Sequence, residues 1–215
     1  MKIAILGTGV VGQTIGTKLV SLGHDVKMGA RAAGNEKAAK WAKDNGARAT
    51  HGTFADAAAF GEIIFNCTSG MASLDALRQA GPRNLDGKIL IDVANPLDFS
   101  KGMPPTLSVC NTDSLGEQIQ RAFPKAKVVK ALNTVNTSVM VEPAKLGGGD
   151  HDLWICGNDA AAKGRVTELV RSFGWKNVRD LGDISAARGT EAYLLFWVRL
   201  MGAVKTATFN TKLVI

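Results

Sequence analysis

The feature that most constrains the fold of this chain is a glycine-rich loop near its start. Residues 7–12 read GTGVVG, a G-x-G-x-x-G pattern, in a chain that holds 24 glycines. An apolar run over residues 2–6 precedes the loop, a helical pattern over residues 10–22 follows it, and a second strand pattern covers residues 24–29. This order predicts a βαβ unit whose loop binds the phosphates of a dinucleotide. A tight turn without a ligand is the alternative.

Each glycine of the loop has a physical reason in such a unit. Gly7 permits the tight turn, Gly9 lets the backbone approach a pyrophosphate, and Gly12 allows the helix to pack closely on the strand. The amino end of the helix adds unpaired N–H groups and the positive end of its dipole. The predicted phosphate-binding segment consists of Gly7, Thr8, Gly9, Val10, Val11 and Gly12.

The end of the second predicted strand indicates which dinucleotide binds. Sites for NAD place an Asp or Glu there, which hydrogen-bonds to the 2′-hydroxyl of the ribose. Residues 27–31 read KMGAR and contain no carboxylate, and Arg31 stands where a guanidinium can pair with a 2′-phosphate. Lys37 lies close enough in sequence to contribute a second charge. We therefore predict NADP rather than NAD; the alternative is that Arg31 is a plain surface charge.

Strand and helix patterns alternate through the rest of the chain. The strand-like segments are residues 62–67, 88–94, 127–132, 152–157 and 177–181, and the helix-like segments are residues 35–46, 53–60, 73–80, 114–123, 159–174 and 185–204. This alternation predicts an α/β protein with a Rossmann-like, doubly wound, mostly parallel sheet and a small C-terminal α/β elaboration. We expect residues 1–140 to form the dinucleotide-binding domain and residues 141–215 a smaller part that completes the substrate pocket, both packed as one compact unit.

Composition excludes several classes of protein. With 46% hydrophobic and 21% charged residues, the chain can bury a full core, and global disorder is excluded. Aromatic residues make up 6%, which argues against a nucleic-acid stacking platform. Three scattered cysteines without a Cys/His cluster predict neither disulfides nor a metal site and suit a reducing cytoplasm. The apolar runs are too short, or too interrupted by glycine, for a signal peptide or a membrane span.

The chain is basic, with a net charge of +7, and residues 101–215 carry five of these seven charges. No run of adjacent Lys or Arg appears. The charge indicates either a solvated basic surface or a field that attracts an anionic small molecule, and both interpretations stay open at this point.

Polar residues follow three of the predicted strands at their carboxyl ends, where open α/β sheets bind ligands. Thr68 and Ser69 follow one strand and could bond to ribose or phosphate oxygens. Asn95 follows the next strand. Asn133 and Asn136 follow the strand after it, and either amide could bond to the carboxamide of nicotinamide. Each residue also suits a plain turn, so the prediction concerns the set as a pocket rim. No acid–base group accompanies the set, and no catalytic residue is predicted.

A strongly apolar helix is predicted near the end of the sequence. Residues 193–201 read YLLFWVRLM, with one charge among nine residues. Such a helix lies in a core, against a partner subunit or along an apolar ring pocket, and the core is our first expectation. Trp154 and Cys156 are likewise expected in the core.

Taken together, these segments resemble the deazaflavin-dependent NADP reductases, which pass hydride between NADP and the deazaflavin coenzyme F-420, also written F420. The resemblance rests on residues 5–31, on KVVKALNTV at residues 127–135, and on residues 185–202 with 209–215. Two departures are visible. Ala32 follows Arg31 where family members often have a second basic residue, and Asn133 replaces a His that some of them carry. The wider superfamily includes the cytosolic domain of metal-reducing membrane proteins.

The resemblance implies an NADP-dependent oxidoreductase whose cofactor is NADP(H) and whose small, anionic redox co-substrate is a deazaflavin such as coenzyme F-420. The nicotinamide ring and the deazaflavin ring would stack in a water-poor pocket, and hydride transfer between them needs little acid–base help from the protein. The resemblance also implies a homodimer held by the apolar helix. Composition and motifs lead us to expect neither nucleic acid nor a membrane as a partner. A reductase of another acceptor (flavin, quinone or metal complex) and a non-enzymatic NADP(H)-binding sensor are the alternatives.

Overall fold

Ten strands form the framework of the molecule, whose computed structural model describes residues 1–215. Eight strands make one sheet, and two short ones form a separate hairpin. The strands are β1 (Lys2–Leu6), β2 (Asp25–Ala30), β3 (Ala49–Thr53), β4 (Ile63–Asn66), β5 (Ile89–Asp92), β6 (Leu97–Asp98), β7 (Thr106–Leu107), β8 (Lys127–Ala131), β9 (Asp152–Gly157) and β10 (Asn177–Asp180).

The order of strands in the main sheet is β3–β2–β1–β4–β5–β8–β9–β10. Every neighbouring pair is parallel except β8 and β9. The chain runs outward from β1 to β3, then returns to the other side of β1 and continues from β4 outward. The carboxyl ends of β1 and β4 therefore flank a topological switch point, where such sheets bind ligands. The predicted Rossmann-like, doubly wound, mostly parallel sheet is confirmed.

Helices connect the strands and cover both faces of the sheet. Short 3-10 turns lie at Pro143–Lys145, Gly147–Gly149 and Ile184–Ala186. The α-helices are α1 (Val10–Ser21), α2 (Glu36–Asn45), α3 (Phe54–Phe60), α4 (Gly70–Ala80), α5 (Pro82–Leu85), α6 (Leu115–Ala122), α7 (Thr137–Met140), α8 (Ala160–Ser172) and α9 (Ala187–Val204). None of these helices is both long enough and apolar enough to span a membrane.

Two apolar cores lie on opposite faces of the sheet. The alternation of β1 shows how they form, because Ile3 and Ile5 belong to one core while Ala4 and Leu6 belong to the other. Helices α1, α2, α7 and α8 contribute to the first core, and α3, α4 and α6 to the second. A central strand covered on both faces is mostly apolar, which is why these strands read as nearly continuous apolar runs.

Local capping signals set the starts of several helices. The side chain of Asn35 accepts a hydrogen bond from the amide of Ala38 at the start of α2. Thr53 and Asp56 form a reciprocal capping box at the start of α3. Helix α1 differs, because its N-cap is Gly9 and no side chain caps its first turn. The unpaired amides of that turn are left for another acceptor.

The sequence patterns did not predict β3 or the hairpin of β6 and β7. The sequence of β3, ATHGT, has little apolar character because this strand is at the edge of the sheet. The hairpin pairs Leu97 and Asp98 with Leu107 and Thr106, in a part of the sequence that shows no strand pattern. Strands β9 and β10 lie after residue 140 and still join the main sheet. The division at residue 140 falls at the end of α7 and stays a prediction.

The expectation of a core position is wrong for much of α9. Leu194 is buried, but Leu195 is exposed and Phe196 is 57% exposed. Trp154 is half-buried rather than part of the core. Cys156 is buried as expected, and burial raises the pKa of its thiol to about 12. An apolar sequence therefore does not identify which face of a helix meets the core.

Candidate functional site

The loop after β1 is shaped at two of its glycines by close backbone contacts. Gly7 has a φ of +119°, and a Cβ at this position would lie 2.5 Å from the carbonyl oxygen of Cys67. A Cβ on Gly12 would lie 2.3 Å from the carbonyl oxygen of Gly7. A Cβ on Gly9 would meet no atom within 4 Å. Gly7 and Gly12 thus determine the shape of the loop, whereas Gly9 borders open space.

The start of α1 presents unpaired backbone donors to this open space. Val10, the first residue of the helix, is 73% exposed. The side-chain amide of Gln13 donates to the carbonyl of Thr8 at 2.9 Å and fixes the middle of the loop. A helix amino terminus with free N–H groups and an attached glycine turn is suited to an anion such as a phosphate.

A cleft of about 680 Å³ opens beside the loop at the switch point. Arg31, directly after β2, lies in this cleft, is exposed and forms no salt bridge within the chain. No carboxylate stands at the end of β2, where one would repel a dianionic 2′-phosphate beside Arg31. The residues that line the cleft are Gly7, Thr8, Gly9, Ala30, Arg31, Ala32, Asn35, Phe54, Cys67, Thr68, Ser69, Ala72, Asp75, Ala76 and Gln79.

A second pocket, of about 300 Å³, continues from the first across the loop after β4. Thr68 and Ser69 line both cavities, so the two form one crevice along the carboxyl ends of β1, β4 and β5. Val11 and Asn95 lie in the second pocket, which is mostly apolar. A flat apolar ring with one polar edge suits such a wall.

Two of the predicted site residues are placed elsewhere. Lys37 lines a separate cleft between α1 and α2, together with Lys18 and Lys40. Asn133 is 3% exposed, and its side-chain amide donates to Asn95 Oδ1 at 3.0 Å and to the carbonyl of Thr190 at 3.2 Å. Asn133 therefore joins the pocket residue Asn95 to α9 instead of lining the pocket.

A buried ion cluster lies beneath the crevice. The ammonium of Lys130, in β8, is 2.7 Å from Asp92 Oδ2 and 2.8 Å from Glu191 Oε1, with all three side chains at most 2% exposed. Burial by itself lowers the pKa of Lys130, but the two carboxylates outweigh it and raise the pKa above its ordinary value. Glu191 also accepts hydrogen bonds from the amides of Leu115 and Gly116 at the start of α6.

The ion cluster reaches the crevice through Asn66. The side-chain amide of Asn66 donates to Asp92 Oδ1 at 2.8 Å and to the hydroxyl of Ser73 at 3.0 Å. Asn66 Oδ1 accepts from the hydroxyl of Thr68 at 2.6 Å. The position of the Thr68 side chain at the crevice therefore depends on the buried carboxylate of Asp92 in the neighbouring strand β5.

Comparisons with known proteins point to one family. Residues 2–96 match the sequence profile described as "NADP oxidoreductase coenzyme F420-dependent". The F420-dependent NADP reductase of Methanocaldococcus jannaschii is 30% identical over 206 residues, which cover 89% of this chain and 88% of that protein. A crystal structure from Arthrobacter sp. FB24, provisionally named an F420-dependent NADP-reductase, superimposes with a TM-score of 0.97 at 53% identity over 100% of both chains.

The chain belongs to the coenzyme F420-dependent NADP oxidoreductase family. Metalloreductase STEAP3 of Rattus norvegicus is also 30% identical, over 209 residues that cover 96% of this chain. The chain spans 38% of the length of that rat relative and 88% of the length of the archaeal one. The resemblance stated from residues 5–31, 127–135 and the last helix is thereby confirmed.

Cys67 is the only cysteine that lines the crevice of this family member, and no histidine lines it. Burial, helped by the charge of Asp92, raises the pKa of the Cys67 thiol well above its ordinary range, which keeps it protonated. His151 is buried, and its ring nitrogens face the carbonyl of Pro143 and the side chain of Asn210. His24 and His51 line neither pocket. No group of three or more His, Cys, Asp or Glu side chains is arranged to hold a metal ion.

The residues that sequence reasoning missed are the charged ones inside apolar strands. Lys130 interrupts the run KVVKAL, and Asp92 interrupts KILIDVA. A charge in a strand that is buried on both faces needs a partner of opposite sign, so these two interruptions were the signal that could have paired them. The aromatic and small residues that line the cleft with Arg31, such as Phe54 and Ala72, carried no such signal.

Proposed function

We propose that this chain is an NADP-dependent oxidoreductase that binds NADP(H) along the crevice at the carboxyl ends of β1, β4 and β5. One observation carries the proposal: the open space at Gly9 and the unpaired guanidinium of Arg31 belong to the same cleft. A pyrophosphate at the amino end of α1 and a 2′-phosphate at Arg31 suit these two features. The second pocket, beyond Thr68 and Ser69, is then available for the nicotinamide end.

The backbone and side-chain groups of the crevice would act by binding NADP(H) and orienting it. When bound, NADP(H) supplies the hydride that is transferred. The amides of α1 hold the phosphates, Arg31 holds the additional phosphate, and the apolar walls of the second pocket exclude water from the reacting rings. No proton transfer is assigned to a side chain, because Cys67 stays protonated and the histidines lie elsewhere.

The test of the cofactor is the effect of Arg31→Ala on the affinities for NADPH and NADH, measured by titration calorimetry. We expect the wild type to prefer NADPH. Loss of a charge-assisted bidentate contact should weaken NADPH binding by about ten- to hundredfold and leave NADH nearly unchanged. Lys43→Ala is the matched control, because Lys43 is an exposed cation of α2 that lines neither pocket. Equal wild-type affinities for the two cofactors would contradict the proposal.

We further propose a deazaflavin of the coenzyme F-420 type as the hydride partner. The names of the archaeal and Arthrobacter relatives support this choice. The excess of positive charge in residues 101–215 suits the acidic tail of such a coenzyme. If charge attraction assists capture, the apparent second-order rate of NADP reduction should fall as salt screens a field that extends about 8 Å at physiological ionic strength.

The partner assay follows NADP reduction by reduced deazaflavin at rising salt, with flavin, quinone and ferric complexes as parallel acceptors from NADPH. The rat metalloreductase relative favours a metal complex as the second candidate acceptor. Turnover with deazaflavin supports the first proposal, and turnover with a ferric complex alone supports the second. NADPH binding without any transfer would support the sensor alternative. The expected cytoplasmic location stays a prediction.

A homodimer is proposed through α9. Phe196 and Leu195 on this helix, and Val204 at its end, are exposed apolar residues. An apolar patch of this kind is unfavourable in water and is typical of a subunit interface. Light scattering on the wild type should give twice the mass of one chain, and Phe196→Asp should give one chain. A monomeric wild type at micromolar concentration would contradict the dimer.

A further inference from the structure

The buried ammonium of Lys130 has three N–H donors, and three oxygen acceptors surround it. Two acceptors are the carboxylates of Asp92 and Glu191, and the third is the carbonyl oxygen of Ala94 at 2.5 Å. The donors of Lys130 are therefore fully used. Ala94 is the second residue beyond the end of β5 and lines the second pocket. The buried ammonium of Lys130 is thus hydrogen-bonded to Ala94, a residue that lines the second pocket.

The direction of the Ala94 carbonyl determines the direction of the next amide. In a planar trans peptide, the C=O and the following N–H point to opposite sides of the chain. Since the carbonyl of Ala94 points inward to Lys130, the N–H of Asn95 points away from the interior. This N–H has no acceptor within the chain, whereas the amides of Val93 and Ala94 are bonded to Asn66 and Asp92. Asn95 itself lines the second pocket.

The opposite wall of the pocket depends on the same ion cluster. Asp92 binds Asn66, and Asn66 holds the Thr68 hydroxyl. The first turn of α4 lies against the Asn95 peptide, because a Cβ on Gly70 would be 2.0 Å from the Asn95 carbonyl oxygen. The loops after β4 and β5 therefore take their relative position from Lys130 and Asp92.

We propose that Lys130 is a positioning residue that turns the Asn95 backbone N–H into the second pocket as a donor for the carboxamide oxygen of nicotinamide. This inference rests on the proposed binding of NADP(H) and adds a contact for its nicotinamide end. Lys130 itself touches no ligand, since it is enclosed by protein.

The test separates the two ends of the cofactor. Adenosine 2′,5′-bisphosphate fills only the Arg31 side of the crevice, whereas NADP⁺ fills both sides. In the wild type NADP⁺ should bind more tightly than the bisphosphate. Lys130→Met removes the bond to Ala94, so the ratio of the two affinities should fall by about three- to tenfold, the value of one amide hydrogen bond. The affinity for the bisphosphate should change little.

Glu191→Gln is the matched control. It also removes a charge from the same buried cluster, but Glu191 bonds to Lys130 and to the start of α6, not to Ala94. We expect its affinity ratio to stay at the wild-type value although the variant is less stable. Two results would show a general structural role and overturn the inference. One is that Lys130→Met lowers the affinities for NADP⁺ and for the bisphosphate by the same factor. The other is that Glu191→Gln lowers the affinity ratio as much as Lys130→Met does.

A second measurement uses only the wild-type protein, so it does not depend on whether Lys130→Met folds. In ¹⁵N-labelled wild type, the amide proton of Asn95 should shift strongly on addition of NADP⁺ and stay nearly unmoved on addition of the bisphosphate. An Asn95 amide that responds equally to both ligands would overturn the contact while leaving NADP(H) binding intact. A wild type that binds neither ligand would instead overturn the proposed function, and this inference with it.

Discussion

The two ends of the crevice, proposed above for the phosphates and for the nicotinamide of NADP(H), are built in different ways. The phosphate end is a short stretch of backbone, in which Gly7, Gly9 and Gly12 lie within six residues and define both the turn and the open space. The nicotinamide end is assembled from residues far apart in the chain, since Lys130 joins Asp92, 38 positions away, to Glu191 on the last helix. The first end depends on the absence of side chains, and the second on buried charges that must all be matched.

This difference has an energetic consequence. A local turn can lose a ligand contact and keep its fold, because few other groups depend on the vacant space at Gly9. A buried ion cluster cannot lose one member without leaving the others uncompensated in a medium of low polarity. Mutations at Gly9 should therefore change ligand binding with little loss of stability, whereas mutations in the buried cluster should always lower the stability of the fold.

The largest expected effect on stability is that of Lys130→Met. Removal of the ammonium leaves the buried carboxylates of Asp92 and Glu191 without a counter-charge, and we expect a loss of about 3–5 kcal/mol in the free energy of unfolding. Urea denaturation at pH 7 measures it. Addition of Glu191→Gln to Lys130→Met should recover part of the loss. A double variant whose loss equals the sum of the two single losses would show that the cluster does not act as a unit.

Substitutions in the glycine loop should have a smaller effect on stability. One position, Gly12, should affect stability, and the other, Gly9, should affect NADPH binding. Gly12→Ala places a Cβ 2.3 Å from the Gly7 carbonyl, and we expect a loss of stability of about 1–3 kcal/mol. Gly9→Val should leave the melting temperature almost unchanged, because the space there is open, yet should abolish NADPH binding by occupying the place of the pyrophosphate. Unchanged NADPH affinity in Gly9→Val would place the phosphates elsewhere. Thermal melts with and without NADPH test both variants.

The same difference explains how much could be predicted from the sequence. The glycine loop, the end of β2 at Arg31 and the alternation of strands and helices are local patterns, and they lead to the fold and to one end of the crevice. The role of Asn133 could not be predicted, because its partners Asn95 and Thr190 are 38 and 57 positions away. The exposed face of α9 was not the first expectation, since an apolar composition does not show which face of a helix meets the core.

The smallest expected effect comes from an exposed ion pair that contrasts with the buried cluster. Arg121 binds both carboxylate oxygens of Asp113, at 2.9 and 2.7 Å, just before and within α6. The guanidinium hydrogen bonds lower the pKa of Asp113 to about 2. A folded-state pKa below the unfolded value stabilises the fold above pH 4, and this contribution is lost as the pH falls towards 2.

Solvent screens this pair, so Asp113→Asn should destabilise the protein at pH 7 by only about 0.2–1 kcal/mol. The gap in unfolding free energy between wild type and variant should narrow between pH 5 and pH 2.5, because the wild-type carboxylate then loses its advantage over the amide. Urea titrations of both proteins across this range measure the gap. A gap that stays constant with pH would assign the effect of Asp113 to its hydrogen bonds with neutral groups such as Gln118, and not to its charge.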